Sequence, residues 1–151
     1  GRRTDEYVEA MRALWSQDMA TFSGETVSFR EAILRPRPVD GRVPVIIGGH
    51  TPAAARRAGR LGDGFFPAKG DLPALLDELR AAAEQAGRDP ADVEITWTGA
   101  SVLAGGEQAV DEVGRLAEMG VARLVIPPLD INPAAIGDAL AAFGRDVIAR
   151  T

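Results

Sequence analysis

The 151-residue sequence contains no cysteine and one histidine, His50. Without cysteine the chain has no disulfide framework, no thiolate zinc site and no cysteine nucleophile. A single histidine also excludes a multi-histidine metal centre. Basic residues number 17 against 22 acidic ones, the formal net charge is −5, and the basic runs are short pairs such as Arg2-Arg3. We therefore expect neither nucleic acid nor an anionic membrane surface as a partner.

Long apolar segments are missing too. The longest apolar runs are about five residues, whereas a membrane-spanning helix needs about 20. No signal-peptide pattern opens the sequence, so we expect a cytoplasmic protein. Hydrophobic residues make up 46% of the chain, enough for the core of one domain. The sequence begins at Gly1 without an initiator methionine, and we interpret residues 1–151 as a single partial domain of a longer protein.

The first 42 residues contain a helical segment and then an irregular one. Apolar residues recur at helical spacing over residues 4–17, and Thr4 is a candidate N-cap. Residues 18–42 include Gly24 and the run Arg35-Pro36-Arg37-Pro38, where two prolines exclude a helix. We expect an irregular or hairpin-like excursion there.

From residue 43 onward, strand and helix patterns alternate four times. Strands are predicted over residues 43–47, 64–67, 93–98 and 123–126, and the first and last contain the continuous apolar runs Val45-Ile46-Ile47 and Leu124-Val125-Ile126. Apolar residues at helical spacing predict helices over 52–61, 72–87 and 107–119, and a last helix with Asn132 as its cap. Thr51 and Asp71 are predicted to cap the first two of these helices.

Alternating strands and helices of these lengths predict an α/β fold with a parallel sheet. Two architectures fit: a doubly wound sheet, or half of a (β/α)8 TIM barrel. Four units are too few to close a whole barrel of about 250 residues. Because helix 4–17 resembles the end of a preceding unit, we prefer the C-terminal half of a barrel, with residues 43–151 supplying strands five to eight.

In either architecture, functional groups collect at the carboxyl ends of the strands. The most informative end is Gly48-Gly49-His50-Thr51. Two glycines let a ligand approach the backbone, and the helix that starts at Pro52 directs free N–H groups to the same place. A phosphate would suit this position. The alternative is that the glycines only form a tight turn and Thr51 only caps the helix.

Other candidates each have two interpretations. His50 either contacts an anion or cofactor ring or is an exposed loop residue, and Lys69 either meets an anionic substrate or is solvated. We interpret Asp63 as a turn residue at a strand entry rather than as a catalytic acid. Arg56 and Arg57 are expected to be helix-surface charges. The strand ends lack paired catalytic carboxylates, a Ser-His-Asp arrangement and a metal-ligand cluster.

Several motifs resemble one known family, the luciferase-like monooxygenase superfamily, and within it the oxidoreductases that use the deazaflavin coenzyme F420. The motifs are RPRP at 35–38, VPVIIGGHTPAAARRA at 43–58, LGDGFFP at 61–67 and AGRDP at 86–90. The resemblance implies a (β/α)8 barrel of which this chain is the C-terminal half. It also implies that Gly48 and Gly49 lie at the cofactor phosphate.

By the same resemblance, Ile47, His50 and Thr51 lie beside that phosphate, and Lys69 is near the place where some deazaflavin enzymes bind a phosphorylated substrate. The family's ring-binding and acid–base residues come mostly from strands one to four, so no catalytic residue is assigned in this chain.

Three functions remain open. The first is the C-terminal half of an oxidoreductase that transfers hydride between reduced F420 and a small organic substrate. The second is an FMN-dependent monooxygenase of the same superfamily. The third is a non-catalytic half barrel that serves in binding or assembly. The expected protein partner is the N-terminal half of the barrel or a homodimer mate.

Overall fold

The computed structural model of this protein describes residues 1–129 and 132–151. Its α-helices are α1 Arg2–Ser16, α2 Pro52–Leu61, α3 Leu72–Gln85, α4 Gly106–Glu118 and α5 Ile136–Asp146. Its strands are β1 Ala20–Ser23, β2 Ser28–Ala32, β3 Ile46–Gly48, β4 Gly64–Phe66, β5 Glu94–Thr98 and β6 Val121–Val125. No helix in these ranges is long and apolar enough to span a membrane.

Strands β3 to β6 form a four-stranded parallel sheet in the order β3-β4-β5-β6. Each strand is followed along the chain by one of the helices α2 to α5. The four predicted strand–helix units are therefore confirmed. Ile47, Phe65 and Ile95 are aligned across the first three strands, and all three are buried.

One face of the sheet packs against α2, α3 and α4, where apolar side chains form the main core. The helical members of this core are Ala54, Ala55, Ala58, Leu72, Leu75, Leu76, Leu79 and Leu116. Close packing of α2 on α3 depends on Gly59, because a Cβ there would lie 2.3 Å from the carbonyl oxygen of Leu79. Side chains alternate between the two faces of a strand, and on the opposite face Ile46 is 48% exposed. The sheet thus buries one face and exposes part of the other.

The predicted excursion contains a β-hairpin, in which β1 and β2 pair antiparallel. The rings of Phe22 and Phe29 stack across the hairpin with centroids 5.9 Å apart. The carboxylate of Glu6 on α1 accepts hydrogen bonds from the Thr26 hydroxyl at 2.7 Å and from the N–H groups of Thr26 and Val27 at 2.8 Å each. The Thr26 hydroxyl and the Val27 N–H hold the pKa of Glu6 below its usual value. This carboxylate fixes the hairpin turn to α1.

Ion pairs join α1 to α2. Asp5 accepts from Arg57 and, at 2.7 Å, from Arg60. Burial alone would raise the pKa of Asp5, but the two arginines outweigh it and the pKa is lowered. The expectation that Arg57 is a surface charge was wrong, since its side chain is 17% exposed. Arg56 is a surface residue as expected, and it pairs with Glu78 at 2.7 Å.

Several element boundaries differ from those predicted. Helix α1 begins at Arg2, so Thr4 lies inside the helix and is not its cap. The first strand of the sheet begins at Ile46 rather than at Val43, because Pro44 has no N–H and the Val45 N–H donates to Asp63 at 2.8 Å.

The boundaries of the last strand and the last helix also differ from those predicted. The last strand covers Val121–Val125 rather than residues 123–126. Helix α5 begins at Ile136 rather than just after Asn132. The side-chain oxygen of Asn132 instead accepts from the Ala134 N–H at 3.1 Å, which closes a local turn.

Candidate functional site

The turn after β3 lies at the carboxyl edge of the sheet. Strand β3 ends at Gly48, and the N–H of Gly49 donates to the carbonyl oxygen of Phe66 at 3.3 Å. Gly49 has a φ of +129°, and a Cβ at that position would lie 2.9 Å from the Cβ of Ala54. Both facts require glycine. Gly49 therefore shapes the turn and brings it against the first turn of α2.

Gly48 has a different environment. A Cβ built on Gly48 would have no atom within 4 Å, and the residue is exposed. The space beside its Cα is therefore open to a ligand at the carboxyl edge.

Helix α2 begins directly after this turn. Pro52 is its first residue, and Thr51 caps it by accepting from the Ala54 N–H at 3.3 Å. The N–H groups of His50, Thr51 and Ala53 donate to no group within residues 1–129 and 132–151. These three donors and the positive end of the helix dipole favour an anion at this place. The predicted glycine turn and Thr51 cap are therefore observed, and neither of them excludes an anion at the same place.

The next loop, after β4, packs against this turn. A Cβ on Gly70 would lie 3.7 Å from the carbonyl oxygen of His50. The hydroxyl of Thr98, the last residue of β5, donates to the carbonyl oxygen of Ala68 at 3.2 Å. The ends of β3, β4 and β5 are thus brought together, and the exposed Lys69 lies on the loop between these contacts.

The predicted site residues divide into two groups. Gly48, Gly49, His50 and Thr51 lie together on the turn, and His50 is exposed. The side chain of Ile47 is 7% exposed and packs into the core with α2 and α3. A ligand at the turn would therefore meet only the backbone of Ile47. At the fourth strand end, Asp130 lies outside the described residues.

Asp63 lies at the opposite edge of the sheet, as expected for a residue that holds a strand entry. Its carboxylate accepts from Arg12 at 3.0 Å, from the Val45 N–H at 2.8 Å and from Arg42. Burial would raise the pKa of Asp63, but the Val45 N–H and the two arginines outweigh it, so the pKa is lowered. The interpretation as a structural rather than a catalytic carboxylate is consistent with these partners.

Sequence reasoning did not single out Thr98 or Gly70 individually. The signal available for Thr98 was its position as the last polar residue of a strand. The contact of Gly70 with His50 has no local signal, because it joins loops that are 20 residues apart in the sequence.

Comparison with known proteins identifies the family. The family model described as luciferase-like monooxygenase matches residues 1–141. The chain belongs to this family. It is 41% identical over 91 residues to an F420-dependent glucose-6-phosphate dehydrogenase of Nakamurella multipartita, a match that covers 57% of this chain and 26% of the relative. It is also 35% identical over 85 residues to an FMNH2-dependent dimethylsulfone monooxygenase of Pseudomonas fluorescens, covering 54% of this chain and 23% of the relative.

Solved structures of other proteins share the fold of this chain. An F420-dependent secondary alcohol dehydrogenase in complex with an F420–acetone adduct superposes with a TM-score of 0.76 at 19% identity, covering 98% of this chain and 61% of that chain. A riboflavin lyase with modified FMN and riboflavin gives 0.75 at 12% identity, covering 99% and 57%. The luciferase-like α/β fold is thus shared, and this chain spans only part of the length of each relative.

Proposed function

We propose that this chain is the C-terminal half, strands five to eight, of a (β/α)8 flavin- or deazaflavin-dependent oxidoreductase, and that residues 48–51 hold the phosphate of its cofactor. The four parallel strands have helices packed on one face and an exposed Ile46 on the other. This asymmetry suits a barrel wall, because the inner face of a barrel is covered only when the barrel closes. The remaining strands would come from an N-terminal half or, failing that, from a second copy.

A phosphate fits the residues present at the turn. Gly48 leaves open space, and three backbone N–H groups in the turn and at the start of α2 have no partner in the described residues. Backbone donors at a helix N-terminus are a common phosphate cradle. This cradle is the observation that carries the proposal.

The cofactor would be F420, with FMN as the alternative. Relatives named F420-dependent dehydrogenases and one named an FMNH2-dependent monooxygenase both match this chain, and a cradle for a phosphate alone does not distinguish them. When bound, the cofactor supplies the hydride chemistry. The chain's own residues would anchor its phosphate and orient it against the open face of the sheet.

Lys69 would add a contact for an anionic substrate. The hydrogen bond from Thr98 to Ala68 and the contact of Gly70 with His50 hold its loop beside the cradle. The exposed Lys69 would therefore meet the substrate's anionic group from this loop.

The test compares FMN with riboflavin, which has the same ring system but no phosphate. Titrated into the 15N-labelled chain, FMN should shift the amide resonances of His50, Thr51 and Ala53. Because riboflavin lacks the charge-assisted hydrogen bonds, it should bind about tenfold more weakly or worse. F420 should shift the same amides.

Gly48→Val places a side chain in the cradle and should abolish the FMN shifts. Gly114→Val is the matched control, since Gly114 lies on α4 and a Cβ there also meets open space. Equal binding of FMN and riboflavin, or unchanged FMN binding by Gly48→Val, would overturn the phosphate assignment and leave the non-catalytic assembly module.

A further inference from the structure

A cavity lies at the amino-terminal edge of the sheet, away from the glycine turn. Asp63 precedes β4 and Pro67 follows it, so about 13 Å of strand separates the two edges. The cavity has a volume of about 410 Å³ and lies between α1, the end of α2 and the loop before β3. We call it the arginine cavity, from its principal lining residues Arg12, Trp15, Arg42, Arg60, Asp63 and Arg88.

The charge of the arginine cavity is opposite to that of the whole chain. Four arginines line it, and Asp63 is the only acidic residue among its lining residues. The whole chain has a formal net charge of −5. Even with Asp5, which accepts from Arg60, cations outnumber carboxylates here. The cavity is thus a local positive site on an acidic protein.

Two of these arginines donate to backbone carbonyl oxygens at the end of α2. Arg88 donates to the carbonyl oxygens of Gly59 and Gly62, each at 2.7 Å. Arg12 donates to the carbonyl oxygen of Leu61 at 2.7 Å as well as to Asp63. Carbonyl oxygens carry no net charge, so they fix the position of a guanidinium group but do not neutralise its positive charge. The end of α2 therefore orients both cations before any ligand arrives.

The other two arginines extend into solvent. The side chain of Arg42 is 68% exposed and that of Arg60 is 43% exposed. Each has one carboxylate partner, Asp63 and Asp5 respectively. A guanidinium group has five N–H donors, so both retain donors for a further oxyanion.

We propose that the arginine cavity binds the phosphate group of a small organic phosphate ester. Guanidinium forks match the oxygens of phosphate in bidentate pairs. Small-molecule sites typically have volumes of about 300–1,000 Å³. The cavity lies within this range, so it has room for an organic group in addition to the phosphate. Trp15 also lines the cavity, and its indole would supply an aromatic wall for the organic part of the ligand. This site is distinct from the cradle at residues 48–51.

Fluorescence of Trp15 reports on the cavity directly. The chain has two tryptophans, and Trp97→Phe leaves Trp15 as the single emitter. In this background, inorganic phosphate and phenyl phosphate are titrated at constant ionic strength, with sodium chloride as the comparison. We expect a saturable change with both phosphates and none with chloride, and tighter binding of phenyl phosphate.

Variants then locate the site. Arg42→Gln with Arg60→Gln should weaken phenyl phosphate binding by about tenfold or more, as expected for lost charge-assisted hydrogen bonds. Asp63→Asn should tighten it, because the one lining carboxylate loses its charge. Arg56→Gln is the matched control, since Arg56 lies on α2 and pairs with Glu78 away from the cavity.

Gly48→Val separates this proposal from the proposed function, because it should leave the Trp15 response unchanged. If the double variant unfolds, Arg60→Gln alone is used, since Asp5 then keeps Arg57 as a partner. An equal response to chloride, or unchanged affinity in the arginine variants, would overturn the site. Equal affinity for the two phosphates would overturn the ester assignment.

Discussion

Asp63→Asn tests how the amino edge of the sheet is held. The Asp63 side chain is 9% exposed, while those of its partners Arg12 and Arg42 are 36% and 68% exposed. Breaking a fully buried ion pair costs about 3–5 kcal/mol and breaking an exposed one about 0.2–1 kcal/mol. Asparagine keeps an acceptor for the Val45 N–H, so we expect an intermediate loss of about 1–2 kcal/mol in the free energy of unfolding.

For a domain of this size, such a loss lowers Tm by about 3–6 °C. The measurement is thermal and urea unfolding followed by circular dichroism. Asp77→Asn is the matched control, because Asp77 is 77% exposed and pairs with Arg80 within one helix. We expect that control to stay within about 0.5 kcal/mol of the parent chain.

The pH dependence gives a second check. The pKa of Asp63 is lowered in the folded state, while an unfolded aspartate titrates near about 3.9. The carboxylate therefore stabilises the fold fully above the unfolded pKa, and this contribution is lost as pH falls through the folded pKa. The difference between parent and Asp63→Asn should be constant from pH 7 to pH 5 and shrink below about pH 4. A Tm change under 1 °C, or a difference that persists at low pH, would refute this reasoning.

Three further outcomes follow from the structure. Gly49→Ala should lower the free energy of unfolding by about 2 kcal/mol because residue 49 has a positive φ. Gly48→Ala should change it by under about 0.5 kcal/mol. Equal losses in urea unfolding would contradict the different roles of the two glycines. The chain should self-associate or be poorly soluble, because β3 and β6 are the edge strands of the sheet and apolar surface is exposed beside β6. That surface consists of a cavity of about 400 Å³ near the exposed Val125 and Ile148. A monomer by light scattering at tens of micromolar would count against this. The chain alone should not oxidise reduced F420 or FMN in a substrate-dependent reaction, because the proposed phosphate anchor would act without a ring platform; turnover in a cofactor-oxidation assay would disprove that.

Much of the fold could be predicted because its signals are local. Helix α2 was predicted with its observed limits, since Thr51, Pro52 and Gly62 mark both ends. The alternation of strands and helices was sufficient to predict a parallel sheet, whereas the order of its strands remained open between a doubly wound sheet and a half barrel. Boundaries failed where a distant partner decided them. Val45 lies outside the strand because its N–H donates to Asp63. Arg57 is half-buried because it pairs with Asp5 of α1.

The candidate site was predicted only in part for the same reason. The Gly-Gly turn and the helix cap are visible in the sequence, and they lie together in the structure. The core position of the Ile47 side chain depends on which face α2 and α3 cover, and a continuous apolar strand does not reveal that. The hydrogen bond from Thr98 to Ala68 joins two strand ends 30 residues apart, so no local pattern indicates it.

If the chain is half of a barrel that anchors a cofactor phosphate, the other half is needed to hold the ring. The decisive measurement fuses residues 1–151 to the N-terminal half of a longer F420-dependent relative and compares the F420 affinity of the fusion with that of the chain alone. The account predicts at least about 100-fold tighter binding by the fusion, or about 2.7 kcal/mol, with most of that affinity lost in Gly48→Val. Equal affinity of the fusion and the isolated chain, or a fusion unaffected by Gly48→Val, would contradict it.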